Sequence, residues 1–246
     1  MPPLPAILYS AFALFAGGLF KGVAGIGLPL VGVPLLTVAL SLKQAVATLV
    51  MPLIFSNLFQ SFEGGQFRPV LRRFWPVHLT LFVTIVLSTR ALVAVPEQYL
   101  FGVIGAALIL IPGIAHLFPS IRLGERQERW LGPLTGIVSG LVGGVSSYYG
   151  PVLLLYVMWL RLTKAIFVVA ISQMYTVGSI GLALGLLAFG VATPAELGVS
   201  ALACAPVFGG LLLGQRVRLR LSERHFSLLI LVTYLITGAS FLLRLA

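Results

Sequence analysis

Acidic residues are scarce in this 246-residue chain, which contains six glutamates and no aspartate. Charged residues of both signs make up only 9% of it, whereas a soluble domain carries about 25%. Hydrophobic residues make up 59%, and the mean hydropathy is +1.08. Water would not cover so much apolar surface, so the composition excludes an ordinary soluble protein and predicts a membrane protein.

The groups that most enzymes use are also missing. The single cysteine, Cys204, excludes an intrachain disulfide and a cysteine-based metal cluster, and three scattered histidines do not form a metal site. The sequence contains no nucleophile elbow, phosphate-binding loop or HExxH zinc motif. We therefore expect neither catalysis nor a metal or other cofactor.

The apolar sequence divides into eight segments, and two of them are too long for one crossing. Residues 4–42 as a straight helix would be about 58 Å long, nearly twice the roughly 30 Å hydrocarbon core, and residues 131–162 are also oversized. Residues that break helices crowd the middle of both, so each is predicted to double back. They are Gly22, Gly25, Gly27, Pro29, Gly32 and Pro34 in the first, and Gly143, Gly144, Ser146, Ser147, Gly150 and Pro151 in the second.

Both oversized segments carry the same glycine ladder: Gly18-x3-Gly22-x2-Gly25 and Gly136-x3-Gly140-x2-Gly143. Each forms a hairpin that returns to its own side and is followed by three further spans, so the two halves must be inverted. The predicted fold is an all-α polytopic membrane protein with two inverted repeats, each a broken hydrophobic hairpin followed by three transmembrane helices. Residues 1–118 form the first repeat, 119–130 a cytoplasmic linker and 131–246 the second repeat.

The basic residues favour this topology. With two returning hairpins, 12 of the 16 lysines and arginines share one face, whereas single crossings scatter them between both faces, which the positive-inside rule disfavours. We expect the larger set on the cytoplasmic face of the inner membrane and both termini outside, with no nucleic-acid partner. The larger set is Arg68, Arg72, Arg73, Arg122, Arg126, Arg129, Arg161, Lys164, Arg216, Arg218, Arg220 and Arg224; Lys43, Arg90 and Arg244 face the other side.

Broken helices end inside the membrane with free backbone N–H groups, and the N-terminus of a helix favours an oxyanion. Neutral hydrogen-bonding residues surround both breaks and cluster on the helices that follow, which suits such a ligand. Hydrogen bonding between helices is the alternative role for each of them. The candidate substrate-binding residues are Thr48, Ser56, Asn57, Gln60, Ser146, Ser147, Tyr148, Ser172, Gln173 and Tyr175.

The ladder glycines have two interpretations. Small residues at this spacing let helices approach closely without any ligand, and we assign that role to Gly18 and Gly136. The glycines nearer the breaks are expected in the substrate site, where flexibility or a positive φ is required. These are Gly25, Gly27, Gly143 and Gly144.

Lys21 is a charge inside the first hairpin, and its counterpart in the second is Ser139. An ionisable residue within the membrane is a functional candidate, because a buried cation would hold an anionic substrate. In the alternative interpretation, the tip of the hairpin reaches the cytoplasmic interface and Lys21 snorkels into water.

The glutamates lie at segment ends or in loops, so the usual carboxylate carrier of protons or sodium is missing from the middle of the membrane. The nearest candidate for such a carrier is Glu63, one residue beyond the Ser61-Phe62 end of its helix, with a loop residue as the alternative, and His78 lies about a turn into its segment. We expect transport to be driven by the anion gradient and the membrane potential, or by a proton carried on the substrate.

The sequence also resembles a known family. The broken first segment, the string Leu42-Lys43-Gln44-Ala45-Val46-Ala47-Thr48 that opens the next helix, and a second copy after a basic linker are similar to the TauE/SafE sulfite exporter family, also called the toluenesulfonate uptake permease family. The resemblance covers nearly the whole chain, although residues 163–168 lack a threonine that corresponds to Thr48. It implies transport of sulfite, sulfonates and related organosulfur acids or carboxylates.

These observations predict a secondary carrier that works by alternating access, with a small anionic substrate and the lipid bilayer as its partners. The helix-packing glycines also allow a homo-oligomer. An anion channel built from the same broken helices is one alternative. A non-transporting membrane scaffold is another, although a scaffold does not need buried polar clusters.

Overall fold

A computed structural model describes residues 4–62, 65–117, 121–218 and 223–245, and over these ranges the chain is helical with no strand. Six stretches within these described ranges are long and apolar enough to cross a membrane, which confirms the all-α polytopic prediction. Helix α7 begins inside the predicted linker. The helices are α1 Leu4–Ala24, α2 Leu28–Leu36, α3 Leu42–Ser61, α4 Phe67–Ser88, α5 Ala91–Ala94, α6 Glu97–Leu117, α7 Glu125–Ser146, α8 Gly150–Trp159, α9 Lys164–Ala188, α10 Pro194–Ser200, α11 Cys204–Arg218 and α12 Glu223–Leu242.

Both oversized segments break where the sequence predicts. Between α1 and α2 the backbone turns through Gly25 and Gly27, which have φ angles of 77° and 85°. Between α7 and α8 the same left-handed region is occupied by Ser147, with a φ of 61°. A left-handed conformation costs a residue with a side chain about 1–2 kcal/mol, so the second break is held in place by its surroundings.

Each hairpin returns to the end of the bundle at which it started. The Tyr9 hydroxyl near the start of α1 donates to the carbonyl oxygen of Leu35 at the end of α2, at 3.0 Å. In the second hairpin, the backbone N–H of Leu123, just before α7, donates to the carbonyl oxygen of Trp159 at the end of α8, also at 3.0 Å. Both segments therefore double back as hairpins, with their breaks away from the end at which they open.

The open ends of the two hairpins lie at opposite ends of the bundle. The Arg73 guanidinium in the early part of α4 forms an ion pair with Glu128 at the start of α7, at 2.7 Å. At the far end of α4 the chain continues to α6, where the Glu97 carboxylate accepts a hydrogen bond from the Leu42 N–H, just after the first hairpin. Helix α4 thus runs from the opening of one hairpin to the opening of the other.

The helices pair across the two halves of the chain. Helix α1 packs along α11, α7 along α4, α3 along α9, and α6 along α12. A Cβ on Gly18 or Gly22 would collide with the backbone of α11, and one on Gly136 or Gly140 would collide with α4. The packing role assigned to Gly18 and Gly136 is therefore confirmed.

Acidic side chains lie at helix starts in the described part of the chain. A carboxylate there interacts favourably with the partial positive charge of the N-terminus. Glu63 lies outside the described residues. The acidic residues in the first turn of a described helix are Glu97, Glu125, Glu128 and Glu196.

We expect Gly18→Ala to destabilise the protein by about 1–3 kcal/mol, the usual cost of overpacking, because its Cβ would meet the carbonyl group of Val207. Gly113→Ala is the matched control, since a Cβ at that helical position meets nothing within 4 Å. Thermal unfolding of the purified protein in detergent measures both. Equal unfolding temperatures for the two variants would contradict close packing of α1 on α11.

Candidate functional site

The two hairpin breaks meet in the interior and enclose a small cavity. The Tyr148 hydroxyl at the second break donates to the Pro29 carbonyl oxygen at the first, at 2.8 Å. The cavity between them has a volume of about 20 Å³, which is room for about one water molecule. Its lining residues are Lys21, Gly27, Leu28, Pro29, Leu30, Leu53, Ser147, Tyr148, Tyr149, Gly150, Pro151, Tyr175 and Tyr234.

Two half-helices begin at this cavity. Gly27 precedes α2 and has no side chain to cap it, and the side chain of Tyr149, which precedes α8, does not cap that helix by a hydrogen bond. Each helix has proline in its first turn, Pro29 and Pro151, which suits a position where no intrahelical N–H bond is made. Both helices therefore direct uncapped N-terminal ends, with their partial positive charges, at the same space.

Lys21 supplies a full positive charge beside these ends. Its side chain is only 1% exposed, and its ammonium donates to Asn57 Oδ1 at 2.6 Å. The amide of Asn57 is fixed in turn, because Nδ2 donates to the Leu53 carbonyl oxygen at 2.8 Å. The alternative in which Lys21 snorkels into interfacial water does not fit this burial.

Four tyrosines form much of the remaining wall of the cavity, and each is less than 5% exposed. The hydroxyls of Tyr149 and Ser179 lie 2.5 Å apart, and the ring of Tyr149 meets that of Tyr175 edge-on at 5.3 Å. A Cβ on Gly150 would collide with the Tyr175 hydroxyl, so this phenol lies directly against the start of α8. The tyrosines are Tyr148, Tyr149, Tyr175 and Tyr234.

Tyr234 was not among the residues predicted from the sequence. It lies on α12, where the segment is otherwise strongly apolar, and a lone tyrosine in such a segment is the signal that would have indicated it. Thr237, one turn later, donates its hydroxyl to the Leu30 carbonyl oxygen at 2.9 Å and ties α12 to α2.

The structure brings five of the fifteen predicted residues into the lining of the cavity and places others at the two breaks. Ser146 makes its side-chain hydrogen bonds within the second break. Its hydroxyl donates to the Val142 carbonyl oxygen and accepts from the Tyr148 N–H. A Cβ on Gly143 would press on the side chain of Tyr149. Gly25 lies within the first break. The predicted residues that line the cavity are Lys21, Gly27, Ser147, Tyr148 and Tyr175.

Two predicted residues lie elsewhere. The Thr48 hydroxyl donates to the Gln44 carbonyl oxygen in its own helix, and the Thr48 carbonyl oxygen accepts from Ser200 on α10. Gly144 faces α4, because a Cβ there would collide with Ser88 and with the Ile85 carbonyl oxygen. Thr48 therefore helps to pack the part of α3 that is distant from the cavity, and Gly144 is a packing glycine. Neither residue lies in the cavity, contrary to the prediction from the sequence.

The other predicted residues lie on the buried faces of α3 and α9, outside the lining of the cavity: Ser56, Gln60, Ser172 and Gln173. The Thr176 hydroxyl donates to the Ser172 carbonyl oxygen, and Gln173 Nε2 donates to the Phe67 carbonyl oxygen. Some buried polar atoms on these helices have no hydrogen-bond partner among the described residues. They are Ser56 Oγ, Gln60 Oε1 and Gln173 Oε1.

These features define a multi-pass membrane protein with a small buried cavity between two broken hairpins. The family model described as sulfite exporter TauE/SafE matches residues 9–241, so the chain belongs to this family. Its membership implies a membrane transporter of sulfur anions and agrees with the resemblance noted in the sequence. Searches of curated proteins and of solved structures found no match.

Tyr148→Phe removes the hydrogen bond that joins the two breaks, and we expect it to destabilise the protein by about 1 kcal/mol, the usual contribution of such a bond. Tyr99→Phe is the control, because Tyr99 is 58% exposed on α6. Thermal unfolding in detergent compares the two. An equal effect of both substitutions would show that the link to Pro29 contributes nothing to stability.

Proposed function

We propose that the protein is a secondary carrier for small anions such as sulfite, sulfonates or related organosulfur acids and carboxylates. The observation that carries the proposal is the placement of Lys21 beside two half-helix N-termini in one buried cavity. A bilayer-spanning protein retains a buried ammonium at high cost unless it has a task. Binding an anion is the task that suits a cation and two helix N-termini together.

The charges around the cavity favour a substrate with a single negative charge. Lys21 is the charged residue in the lining, and the other described lining residues are neutral. Transferring a charge out of water is costly unless an opposite charge balances it. Lys21 adds one positive charge to an otherwise neutral lining, so a sulfonate or hydrogensulfite monoanion costs less to bring out of water there than a sulfate or sulfite dianion.

The walls also favour an organic substituent. Aromatic and aliphatic side chains make up most of the lining, with Leu28, Leu30 and Leu53 facing the four tyrosines. Such walls gain free energy from contact with an apolar group, and phenol hydroxyls add hydrogen-bond donors. A sulfonate combines a charged oxyanion with an apolar end and matches both features.

The small volume of the buried cavity supports a carrier over a channel. About 20 Å³ is too little for a sulfonate, so the hairpins must separate before a substrate can enter. The two breaks meet from opposite ends of the bundle, which is the arrangement that alternating access uses. A channel would need a continuous path at the time of conduction, and a scaffold has no need of a buried cation.

The pairing of α1 with α11 and of α7 with α4 supports our proposal that the two halves are inverted repeats, with the substrate site between them. We further propose that the Arg73 end of the bundle faces the cytoplasm, because the positive-inside rule favours it there. In this orientation both termini lie outside, in an inner membrane. The substrate and the bilayer are then the protein's partners.

Binding is tested by thermal stabilisation of the purified protein against sulfite, sulfate, alkylsulfonates, carboxylates and neutral controls, because a ligand that binds the folded state raises its stability. We expect Lys21→Gln to weaken alkylsulfonate binding about ten- to a hundredfold, since a hydrogen bond to a charged group contributes about 1.5–3 kcal/mol. Lys43→Gln, at an exposed lysine, is the matched control. Unchanged affinity in Lys21→Gln would remove Lys21 from the site.

Asn57→Asp tests the same charge by a different route. A carboxylate in place of the Asn57 amide would neutralise the ammonium that it contacts at 2.6 Å, so we expect alkylsulfonate affinity to fall about tenfold or more. Asn57→Ala, which leaves the charge of Lys21 intact, should retain more affinity than Asn57→Asp. The reverse order would indicate that the amide itself binds the substrate.

Transport is tested with reconstituted vesicles. A carrier exchanges labelled alkylsulfonate for unlabelled alkylsulfonate on the opposite side, and a channel does not show such counterflow. Binding without any flux would favour the scaffold alternative.

A further inference from the structure

The buried face of α3 changes from apolar to polar halfway along the helix. Towards its start, the buried side chains are aliphatic and at most 1% exposed. Beyond Leu53, the same face carries only polar groups. The apolar part is Leu42, Ala45, Val46, Leu49, Val50 and Leu53, and the polar part is Ser56, Asn57, Gln60 and Ser61.

Helix α9, which packs on α3, also carries a buried polar stretch. Its polar members are Ser172, Gln173, Thr176 and Ser179, between the buried apolar residues Val169, Ala170 and Ile171 on one side and Leu182 and Leu186 on the other. The hydrogen bond from Gln173 to the Phe67 carbonyl oxygen places the start of this stretch beside the chain that follows α3. The polar stretch of α9 therefore lies towards the same end of the bundle as the polar half of α3.

That polar half contains buried atoms that the described protein does not satisfy. Ser56, Gln60 and Gln173 are each at most 8% exposed, and each has an oxygen without a hydrogen-bond partner among the described residues. His78 on α4, 6% exposed, has two such ring nitrogens. His78 lies one turn before Phe82 and two turns before Ile85, and both of these residues face α9.

Buried polar groups without partners are costly, and proteins commonly satisfy them with ordered water. Several such unpartnered polar atoms between packed helices indicate a path that holds water. The apolar half of the same interface offers no such partners, and a constriction of aliphatic side chains excludes water and ions.

We propose that the central cavity communicates with solvent through a water-holding path between α3 and α9, lined by Ser56, Gln60 and Gln173, and that the opposite end is closed by a dry gate that includes Leu49 and Leu186. The proposal rests on the carrier function proposed above and adds the route and the gate. In this conformation the cavity is connected to the Arg73 end of the bundle. The dry gate must separate for the substrate to cross to the other side.

The test uses single-cysteine variants in a Cys204→Ala background, which removes the chain's one native thiol. Ser56→Cys and Gln173→Cys report on the path, and Leu49→Cys and Thr89→Cys are controls that are equally buried at the opposite end. Ser56→Cys and Thr89→Cys are close in size to the native residues, so folding should be retained; detergent gel filtration checks it.

Each variant is reconstituted in vesicles of both orientations and treated with a small membrane-impermeant methanethiosulfonate. We expect the path cysteines to react at least about tenfold faster than the control cysteines, because a thiol in a dry interface reacts only after local opening. The fast reaction should occur from the face that carries Arg68 and Arg72. Equal rates at all four positions, or fast reaction from the opposite face, would overturn the proposal.

Counterflow of alkylsulfonate by the Cys204→Ala protein separates this test from that of the carrier itself. Fast modification of the path cysteines without counterflow would support the water-holding path and count against the carrier. Counterflow with unreactive path cysteines would support the carrier and refute the path.

Discussion

A hydrocarbon bilayer offers no hydrogen-bond partners, so every backbone N–H and C=O within it must be satisfied by the protein. Two helices of this chain nevertheless break at Gly25–Gly27 and at Ser147. The breaks are tolerable because they face each other, with Tyr148 donating across to Pro29. The need to enclose these two turns explains the two hairpins, the cavity between them and the helices packed around them.

The buried charge of Lys21 is the second constraint, and it depends on the first. An ammonium at 1% exposure needs polar neighbours, and Asn57 supplies one at 2.6 Å. The same breaks that cost backbone hydrogen bonds leave two helix N-termini, which repel a cation and attract an anion. Lysine and helix ends thus share an attraction for an anion, and an anion between them would relieve the repulsion between like charges.

The breaks were predictable because glycine and proline have strong local effects, and so was the burial of polar residues on α3 and α9. The sequence did not distinguish Gly143, which faces Tyr149, from its neighbour Gly144, which faces α4. Which of the two glycines faces the break depends on how α7 is rotated about its axis, and this rotation is set by packing against α4. Tyr234 was missed because it reaches the cavity from the far end of the chain, and Thr48 was misplaced because nothing local indicates its distance from the breaks.

The close packing of α1 on α11 and of α7 on α4 has a consequence for biosynthesis. The first helix of each hairpin packs against a helix from the other half of the chain. Neither half therefore supplies all the packing partners of its own hairpin. During synthesis α1 enters the membrane long before α11 exists, and its glycine face lies beside lipid until α11 has been made. Assembly therefore completes late, and a chain truncated before Cys204 lacks the partner that holds its first hairpin.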